Sequence, residues 1–444
     1  HQADVGTAYG EVVDGLLTFR GSPTRSYYGS GPVPSSPSVQ WRFPERGSMC
    51  SLSTTGGKTT NWCGTGWTGQ PAVWERAGET WLAFGAYDRA LHVLDGVTGE
   101  RRLDDFVTGD IIKGSVTVDP DGFPLIYTGS RDGFIRAVAI DRPNALEEVW
   151  QLSAKAVSPT KWNDDWDGSP LILDGLLLEG GENSQFHALE LHRSFGPDGL
   201  VQLDPVMLFN TPGWDDELIR AVGNNVSIEN SVAVSGDTVY FANSGGLVQG
   251  WDLAGLTDGA EPVRTFRFWM GDDVDASIVI DDEGYLYVAA EYERGLQRAR
   301  EVGQIVKLDP RRPDDPIVWS IADADLQPGG VWATPALHGD VLYVPTDGGR
   351  LIAVDRTGGE ILWTKRLPGP LWSSPVVVDD ILIQGDCGGS LRGFDVSNPA
   401  VEPDELWRVE LGGCIESTPA VWNGWIYVGT RAGAVYGIAD MAER

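Results

Sequence analysis

The chain repeats one pattern of residues eight times, and this repetition constrains the fold more than any other feature. The clearest copies are TPALHGDVLYVPTDGGRLIAVDRTGGEILW, SPVVVDDILIQGDCGGSLRGFDVSNPAVEPDELW and TPAVWNGWIYVGTRAGAVYGIAD, which open at Thr334, Ser374 and Thr418. Each copy begins with Ser/Thr-Pro and continues into an apolar strand, a turn and a second apolar strand. A repeat of about 40 to 50 residues indicates a propeller or a solenoid.

Five earlier copies are more diverged and extend the same pattern towards the N-terminus. They open at Gln70, Ser115, Ser169, Ser231 and Ser277. The two longest repeats contain insertions. GWDDELIRAVGNN, residues 213–225, has the composition of a short helix, whereas EYERGLQRARE, residues 291–301, is predicted to form an extended hairpin.

The pattern predicts an all-β fold, an eight-bladed propeller of four-stranded antiparallel blades around a hollow axle. Strands such as DVLYVP and GWIYVG are apolar at nearly every position, which suits sheets covered on both faces. A ring of blades has to close, or it leaves an exposed sheet edge. The last copy lacks a Trp-closed outer strand, and SVQWRFP, residues 38–44, matches one. We therefore predict that residues 1–48 form a lead-in and the closing strand of the last blade, and residues 49–444 the propeller.

The repeats resemble the PQQ-like repeats of eight-bladed quinoprotein-type propellers over residues 17–440. The motif Ala353-x-Asp355-x-x-Gly358-Gly359-x-x-x-Trp363 is similar to the tryptophan-docking motif of that family. In such a motif the Asp caps a turn, the Gly forms it, and the Trp packs flat between adjacent blades. Weaker copies are Leu94-Asp95-x-x-Thr98-Gly99 and Phe394-Asp395 leading to Trp407. The family includes PQQ-dependent alcohol dehydrogenases and non-enzymatic propellers such as the lipoprotein of the outer-membrane assembly machine, so the resemblance implies a fold rather than one activity.

Composition excludes some classes of partner. Acidic residues number 64 against 33 basic ones, which gives a net charge of −31. Nucleic acids and anionic lipids require positive surface, so neither is an expected partner. No apolar run approaches the roughly 20 residues that span a bilayer. The chain begins HQADVG without an initiator Met, and we expect a mature or trimmed form. We also expect the protein to be a monomer.

Four cysteines bear on the compartment of the protein. Cys50 and Cys63 flank a Gly/Ser/Thr-rich loop that a disulfide could close. Cys387 follows the second strand of one blade and Cys414 precedes the first strand of the next, so these two could also lie close together. At least one disulfide would indicate an extracytoplasmic location, and the alternative is four free thiols in a cytosolic protein.

Repeat alignment predicts which side chains line the mouth of the central channel. The innermost strand of a blade starts at the mouth, so the residues two positions before each opening should form a ring. They are Thr68, Lys113, Asp167, Glu229, Asp275, Trp332, Trp372 and Glu416. Acidic groups at this distance raise one another's pKa or recruit a cation. A polar mouth with aromatic walls is the default ligand site, and the alternative is a water-filled opening that tolerates any polar residue.

The resemblance implies a more specific use of this ring. Quinoprotein dehydrogenases hold Ca²⁺ and the quinone with an acid and an Asn from successive blades, and an Asp acts as base. By that resemblance the candidates are Asp167, Glu229 and Asn230 for the metal, Lys113, Trp166, Trp332 and Trp372 for the cofactor, with Trp162 as an alternative to Trp166, and Asp275 for the base. The segment KWNDDWDGS, residues 161–169, suits either a cation site or an exposed loop between blades. An adjacent Cys pair and a CxxCH haem motif are both missing from the sequence.

Three functions remain open at the level of sequence. The favoured one is an extracytoplasmic binding or scaffolding module that engages a protein or a small molecule at the mouth. The second is a calcium- and PQQ-dependent alcohol or sugar dehydrogenase, and the third is a polysaccharide-binding propeller or lyase. The bound cofactor is unknown; Ca²⁺ suits the acidic ring better than PQQ does.

Overall fold

The structure is a computed structural model that describes residues 12–66, 69–322 and 329–441, together with Gly6, Tyr9 and Gly10. Eight sheets follow one another along the chain, and each contains four antiparallel strands of the repeat. The first strand of each blade begins two residues after the predicted opening, from Ala72 in blade 1 to Ala420 in blade 8. The predicted all-β, eight-bladed propeller is confirmed.

Each blade takes its four strands in chain order except the last, and short inserted strands interrupt blades 3 and 5. Blades 1 to 4 comprise Ala72–Arg76, Glu79–Gly85, Ala90–Asp95 and Phe106–Val107; Thr117–Val118, Leu125–Gly129, Phe134–Ala139 and Glu147–Ser153; Leu171–Leu173, Leu176–Gly180, Gln185–Glu190 and Val206–Pro212; and Ala233–Ser235, Thr238–Phe241, Leu247–Asp252 and Val263–Trp269. Blades 5 to 8 comprise Val279–Ile280, Leu286–Ala289, Ile305–Leu308 and Ile317–Ile321; Ala336–His338, Val341–Pro345, Arg350–Asp355 and Ile361–Arg366; Val376–Val378, Ile381–Gly385, Ser390–Asp395 and Glu405–Glu410; and Ala420–Trp422, Trp425–Thr430, Ala434–Asp440 and Pro37–Phe43.

The N-terminal strand closes the ring as predicted. Pro37–Phe43 pairs antiparallel with Ala434–Asp440 and forms the outer edge of blade 8. Trp41 then reaches blade 1, where its indole N–H donates to the carbonyl of Gly96 at 3.0 Å. Gly99 lies under the same ring, and a side chain there would collide with it at 2.6 Å. The closing strand and the C-terminal strand thus lie in one sheet, and Trp41 packs that sheet against the first blade.

The same tryptophan contact recurs between other blades. Trp319 of blade 5 donates to the carbonyl of Arg356 at 3.0 Å, and Trp363 of blade 6 donates to the carbonyl of Pro399 at 3.1 Å. Asp355 caps the receiving turn by accepting from the backbone N–H of Gly358 at 2.6 Å. The roles that the resemblance implied for the Asp, Gly and Trp of the motif agree with these contacts.

Hydroxyl groups of the opening residues join the blades around the axis. In five cases the hydroxyl accepts from the backbone N–H of the opening residue of the preceding blade, at 2.9 to 3.0 Å. The pairs are Gln70 with Ser115, Ser169 with Ser231, Ser231 with Ser277, Ser277 with Thr334, and Thr334 with Ser374. The repeated Ser/Thr therefore forms blade-to-blade hydrogen bonds, in addition to marking the start of a repeat.

Neighbouring hydroxyls bridge the other three junctions. Thr117 of blade 2 donates to the carbonyl of Pro170 at 2.5 Å. Ser373 donates to the carbonyl of Ser417 at 2.8 Å, and Ser417 donates to that of Gly69 at 2.6 Å. A hydrogen bond from a hydroxyl thus crosses every junction of the ring.

The axle is not hollow, which corrects the sequence-based expectation. Residues 15–30 run inside the ring, where Gly15–Leu16 pairs with blade 1 and Gly29–Ser30 pairs with blade 8. Arg20 is fully buried and donates to the carbonyls of Pro335 and Pro375 at 2.6 Å each. Arg25 is equally buried and donates to the carbonyl of Val232 at 2.7 Å. The lead-in fills the channel because its arginines satisfy carbonyls that face the axis, a contact that hydrophobic periodicity does not reveal.

Of the two insertions, one matches its prediction and one does not. The first contains a helix, Asp216–Val222, whose N-cap Asp215 accepts from the N–H of Leu218 at 3.0 Å. The second was predicted to be an extended hairpin, and that prediction is wrong. Its strand Glu291–Tyr292 pairs with Gly329–Gly330, and it continues into the helix Gln297–Val302. The run QRAREV consists largely of good helix formers and ends at Gly303, which closes the helix.

Removal of one axial hydroxyl tests the junction bonds. Ser231→Ala leaves the buried N–H of Ser169 without its acceptor, so the free energy of unfolding should fall by about 1–3 kcal/mol. Urea unfolding measures the change, with Ser194→Ala on an exposed hairpin strand as the control. Equal stability of the two variants would show that the axial bonds do not stabilise the ring.

His92 packs against the strand that closes the ring and lies between two carboxylates. Its ring lies 5.0 Å from that of Phe43 in the closing strand, and its two nitrogens lie 2.9 Å from Asp105 and 3.2 Å from Asp88. Burial opposes the charge, but the hydrogen bonds to Asp105 and Asp88 outweigh it and raise the pKa of His92 above its usual value. The imidazolium is therefore favoured in the folded state.

The stabilisation from His92 should be present below the unfolded-state pKa of about 6.5 and lost as pH rises through the higher folded-state value. We expect wild type to exceed His92→Gln in free energy of unfolding by more at about pH 6 than at about pH 9. Urea unfolding at both pH values measures the difference. A gap that is constant or grows with pH would contradict a charged His92.

Candidate functional site

The ring of mouth residues forms two chemically different halves. Lys113, Asp167, Glu229 and Asp275 on blades 2 to 5 interact electrostatically with one another. Trp332 and Trp372 on blades 6 and 7 stack on each other, and Glu416 on blade 8 pairs with Arg431 at 3.1 Å. Thr68, the predicted member from blade 1, lies outside the described residues. The mouth therefore has an acidic half and an aromatic half.

The first acidic cluster consists of Asp165, Asp167 and Glu182 on blade 3, and a lysine neutralises part of its charge. The ammonium of Lys113 contacts the carboxylate of Asp167 and lies 3.2 Å from that of Glu182. Burial opposes the charge on Lys113, but the two carboxylates outweigh it and raise the pKa of Lys113 well above its usual range. Burial and the charge of Asp167 raise the pKa of Asp165 to about 6.

A disulfide-closed hairpin, here termed the strap, lies over one side of the mouth. It comprises strands Cys50–Thr55 and Lys58–Cys63, and Cys50 is bonded to Cys63. Its Trp62 contacts the guanidinium groups of Arg131 and Arg431, at 5.1 and 4.9 Å from the ring centre. Arg131 also donates to Asp165 at 2.6 Å. The strap and the mouth acids thus share their arginines.

The second acidic cluster consists of Asp273, Asp275 and Glu291. One oxygen from each carboxylate lies within 4.8 Å of the others. Burial raises the pKa of all three groups. The charge of Asp275 raises the pKa of Asp273 and Glu291 further, whereas hydrogen bonds with Glu291 and Asp273 lower that of Asp275. The Oδ1 atoms of Asp273 and Asp275 are buried and form no hydrogen bond with any described residue. Asp273 and Asp275 therefore each retain a ligand atom that no described residue uses.

The insertion of blade 5 brings Glu291 to this cluster. Asp272 is buried and accepts from the backbone N–H groups of Arg294 and Gly295 at 3.0 and 3.2 Å, which holds the insertion against the blade. The backbone N–H of Glu291 donates to the carbonyl of Asp273 at 2.8 Å. Arg294 lies 3.6 Å from Asp272 and 3.7 Å from Asp273 of the cluster, and no hydrogen bond joins its side chain to Asp273 among the described residues.

Glu229 links the two clusters. Ser227 and Ser244 donate to its carboxylate at 2.7 and 3.1 Å. Burial and the charge of Asp275 raise the pKa of Glu229 to about 7, and Lys113 offsets part of this effect. Glu229 therefore lies electrostatically between the acids of blade 5 and the lysine of blade 2.

The aromatic half is a rigid pair of indoles. The rings of Trp332 and Trp372 lie 4.9 Å apart with an angle of 7° between their planes. The indole N–H of Trp372 donates to Asp347 at 2.8 Å, which fixes its orientation. Flat apolar surface of this kind suits the hydrocarbon part of a ligand or another aromatic ring.

Two of the predicted site residues lie away from the open mouth. Trp166 is 1% exposed and packs against the ring of His187 at 5.0 Å, so its faces are covered. Asn230 is fully buried, and its amide donates to the carbonyls of Ala242 and Val274 at 3.0 and 2.8 Å. The amide oxygen of Asn230 accepts from the N–H of Ala242 at 3.2 Å. The cofactor and metal roles of Trp166 and Asn230 stay predictions, and these contacts already use their polar groups or cover their rings.

All four cysteines are paired. Cys387 of blade 7 is bonded to Cys414, which precedes blade 8, so this disulfide joins neighbouring blades near the mouth. The other bond closes the strap. The proximity expected from the position of each cysteine in its repeat is confirmed for both pairs.

Comparison with known proteins places this fold. Residues 301–401 match the family described as outer membrane protein assembly factor BamB. The quinohemoprotein alcohol dehydrogenase of Comamonas testosteroni has a TM-score of 0.62 at 14% identity, with 97% of this chain and 82% of that chain covered. A europium-containing methanol dehydrogenase has a TM-score of 0.62 at 13% identity, and the match covers 96% of this chain and 98% of that chain. The chain has the fold of the PQQ-like eight-bladed propellers.

The likeness to these structures shows the fold alone, because the identities are low. A computationally designed protein, Ika8, reaches a TM-score of 0.57 at 11% identity over 84% of this PQQ-like propeller and 98% of its own length. No curated protein sequence matches the chain. None of the described helices is long and apolar enough to cross a membrane.

Sequence reasoning missed several mouth residues of this PQQ-like propeller. Glu182 follows the second strand of blade 3, and Glu291 begins an insertion, so neither falls at the repeat position used to predict the ring. Asp273 lies two residues before Asp275 and was available from the same pattern, since Asp165 and Asp167 show the same spacing in blade 3. An Asp-x-Asp pair before the openings of two blades was the signal in the sequence.

Replacement of the mouth lysine tests its role as an internal counter-ion. Lys113→Met leaves buried carboxylates without their cation, so the free energy of unfolding should fall by about 3 kcal/mol or more at pH 8. The loss should be smaller at pH 5, where these carboxyl groups can bind protons. Urea unfolding at both pH values measures it, with Lys155→Met, 75% exposed, as the control. A loss that is equal at both pH values would exclude this role.

Proposed function

We propose that this propeller is an extracytoplasmic binding module whose mouth captures a divalent cation at Asp273, Asp275 and Glu291. The observation that carries the proposal is the pair of buried Oδ1 atoms on Asp273 and Asp275 that lack a hydrogen-bond partner among the described residues. Burial of a carboxylate is costly unless a cation or hydrogen bonds compensate its charge. A divalent cation would satisfy three such groups at once.

Hard cations suit these ligands best. Ca²⁺ takes about six to eight oxygen ligands and tolerates irregular geometry, so three carboxylates and several waters could complete its shell. No histidine or cysteine belongs to either acidic cluster, which disfavours zinc. The oxygen donors of the mouth therefore support Ca²⁺ as the ion.

The two acidic clusters differ in the charge that already compensates them. The cluster on blade 3 contacts Lys113 directly, and Arg131 binds Asp165 at 2.6 Å. Among the described cations, Arg294 lies 3.7 Å from Asp273 of the blade 5 cluster, and Lys113 acts on Asp275 from beyond ion-pair distance. A free cation gains more at the less compensated cluster. This difference supports the blade 5 cluster as the site and the blade 3 cluster as its neighbour.

A quinone cofactor fits these residues poorly. PQQ carries three carboxylates and needs cationic partners, whereas Lys113, Arg131 and Arg431 already bind carboxylates of the protein itself. Trp166, the predicted stacking partner, is covered on the inside of the blade. We therefore derive no reaction step through a quinone, and Asp275 is assigned to cation binding rather than to proton transfer.

Two disulfides support an extracytoplasmic location. Bonds such as Cys50–Cys63 and Cys387–Cys414 persist in oxidising compartments and are rare in the cytosol. A net charge of −31 also suits a solvated exterior and cationic ligands. We infer that the ligand has two parts. An apolar part would lie on Trp332 and Trp372, and an adjacent part would either carry a positive charge or bind the metal ion.

Calcium titration tests the proposed site. At about pH 8, where Glu229 is ionised, calorimetry should show one Ca²⁺ per chain, and saturation should stabilise the fold by roughly 2.7 kcal/mol at 100 times Kd. Glu291→Gln removes one charged ligand and should weaken binding about tenfold or more, a loss of roughly 1.4 kcal/mol.

Glu293→Gln is the matched control, because Glu293 lies in the same insertion and is exposed. Its charge acts on Asp273 and Glu291, but solvent and salt screen an exposed carboxylate, so the calcium affinity should change by less than about threefold. Absence of heat and of thermal stabilisation in wild type would remove the proposed site. An equal loss of calcium affinity in both variants would show that the ion responds to the negative charge of the insertion in general and is not bound by Glu291.

A further inference from the structure

A cavity of about 340 Å³ lies on the face of the propeller opposite the mouth. The first strands of blades 1 and 2 end there, at Arg76 and Val118. Its walls are mainly apolar and include Trp74, Phe123 and Ile140. Volumes of about 300 to 1,000 Å³ are typical of sites for small organic ligands. The cavity is therefore large enough for a compact molecule with a single ring.

An inserted hairpin of blade 3 forms the roof of this cavity. Its strands, Arg193–Phe195 and Val201–Leu203, do not belong to the four-stranded blade. Arg193 reaches back to blade 2 and binds the buried carboxylate of Asp119 at 2.8 Å. The ring of Phe195 stacks on that of Phe123, with 5.6 Å between centres. The hairpin is thus held across a neighbouring blade by a buried ion pair.

The carboxylates that line the cavity are already occupied. Asp119 accepts from Arg193, and Asp141 accepts from the backbone N–H of Val201 at 2.7 Å and contacts Arg142. Glu75 accepts from the indole N–H of Trp422 at 2.8 Å, on the side of blade 8. Each of these three carboxylates therefore already has a partner within the protein.

Arg76 is the cation of this cavity that has no hydrogen-bonded or ion-paired carboxylate among the described residues, although the charge of Asp141 acts on it from beyond ion-pair distance. Its guanidinium stacks on Trp81, 5.1 Å from the ring centre. Among the described residues, none accepts a hydrogen bond from it or forms a salt bridge with it. Stacking leaves the N–H edges of a guanidinium free, and these edges match the two oxygens of a carboxylate. Arg76 therefore presents a prepared anion-binding fork at the side of an apolar cavity.

We propose that this cavity is a second binding site, for a small apolar monocarboxylate such as an arylcarboxylic acid. The carboxylate would bind Arg76, and the ring would lie between the apolar walls and the roof formed by Phe195. The net negative charge of the chain opposes an anion at long range. At about 0.15 M salt, however, charges beyond roughly 8 Å are largely screened. The nearer carboxylates of Asp119, Asp141 and Glu75 already accept hydrogen bonds from the protein, so the contact with Arg76 decides the sign of the ligand.

Titration with 4-fluorobenzoate, followed by ¹⁹F NMR on the full chain in saturating calcium, tests this site. We expect saturable binding with Kd on the order of 1 mM, which is usual for a ligand of about ten heavy atoms. The neutral amide and the benzylamine of the same ring should bind about tenfold more weakly. Equal or tighter binding of either compound would overturn the assignment to an anion, and so would the absence of saturation by the acid.

Two variants locate the binding in the cavity. Arg76→Gln should weaken 4-fluorobenzoate about tenfold or more, because the paired hydrogen bonds are lost. Arg102→Gln is the matched control, because Arg102 stacks on the same Trp81 ring at 4.9 Å but is paired with Glu79 and Asp95. The control should leave affinity within about twofold, as expected of a side chain outside the cavity.

Phe195→Ala provides a second test of the cavity in case Arg76→Gln does not fold. Phe195 is 56% exposed on the inserted hairpin, so its removal should spare the propeller and still weaken the acid several-fold. Thermal melts establish that each variant is folded. Unchanged affinity in both Arg76→Gln and Phe195→Ala would overturn the proposal. Loss of calcium binding in Glu291→Gln should leave affinity for the acid unchanged, which separates this site from the mouth.

Discussion

Hydrogen bonds across the axis are the interaction on which the rest of this propeller depends. A hydroxyl bridges every pair of successive blades, as Ser231 does between blades 3 and 4. From inside, Arg20 and Arg25 donate to carbonyls of blades 4, 6 and 7. A buried carbonyl or N–H without a partner is costly, so these groups set the angular position of each blade. The outer tryptophans then lock the same arrangement at the rim.

This rigid axis explains why the mouth can hold so many charges. The opening residues are fixed by their hydrogen bonds, so the side chains two positions earlier cannot spread apart. Lys113 compensates the acids of blade 3, whereas Asp273 and Asp275 of blade 5 each retain an oxygen atom without a hydrogen-bond partner among the described residues. Folding energy from the blades holds these acids together, and a bound cation would lower the electrostatic cost.

Repeat alignment predicted much of the fold and part of the site. It located all eight blades, the closing strand, the tryptophan docking and the ring positions from Lys113 to Glu416, because these features recur with the repeat. It failed where residues lie outside the repeat. Glu291 belongs to an insertion that folds as a strand and a helix. Arg76 became notable only when the structure placed it beside an apolar cavity without a hydrogen bond to any described residue. Insertions have no internal copy against which to be aligned.

The sequence by itself determined the number of blades, their strand order and the way the ring closes. Each follows from periodic apolar residues, turns and tryptophans whose physical requirements are local or repeated. Only the tertiary structure decided that the lead-in fills the axle, that Lys113 serves one acidic cluster, and that an inserted hairpin roofs a cavity beside Arg76. Those outcomes depend on which polar groups remain unpaired after the blades have packed, and pairing between distant segments is not encoded in any local pattern.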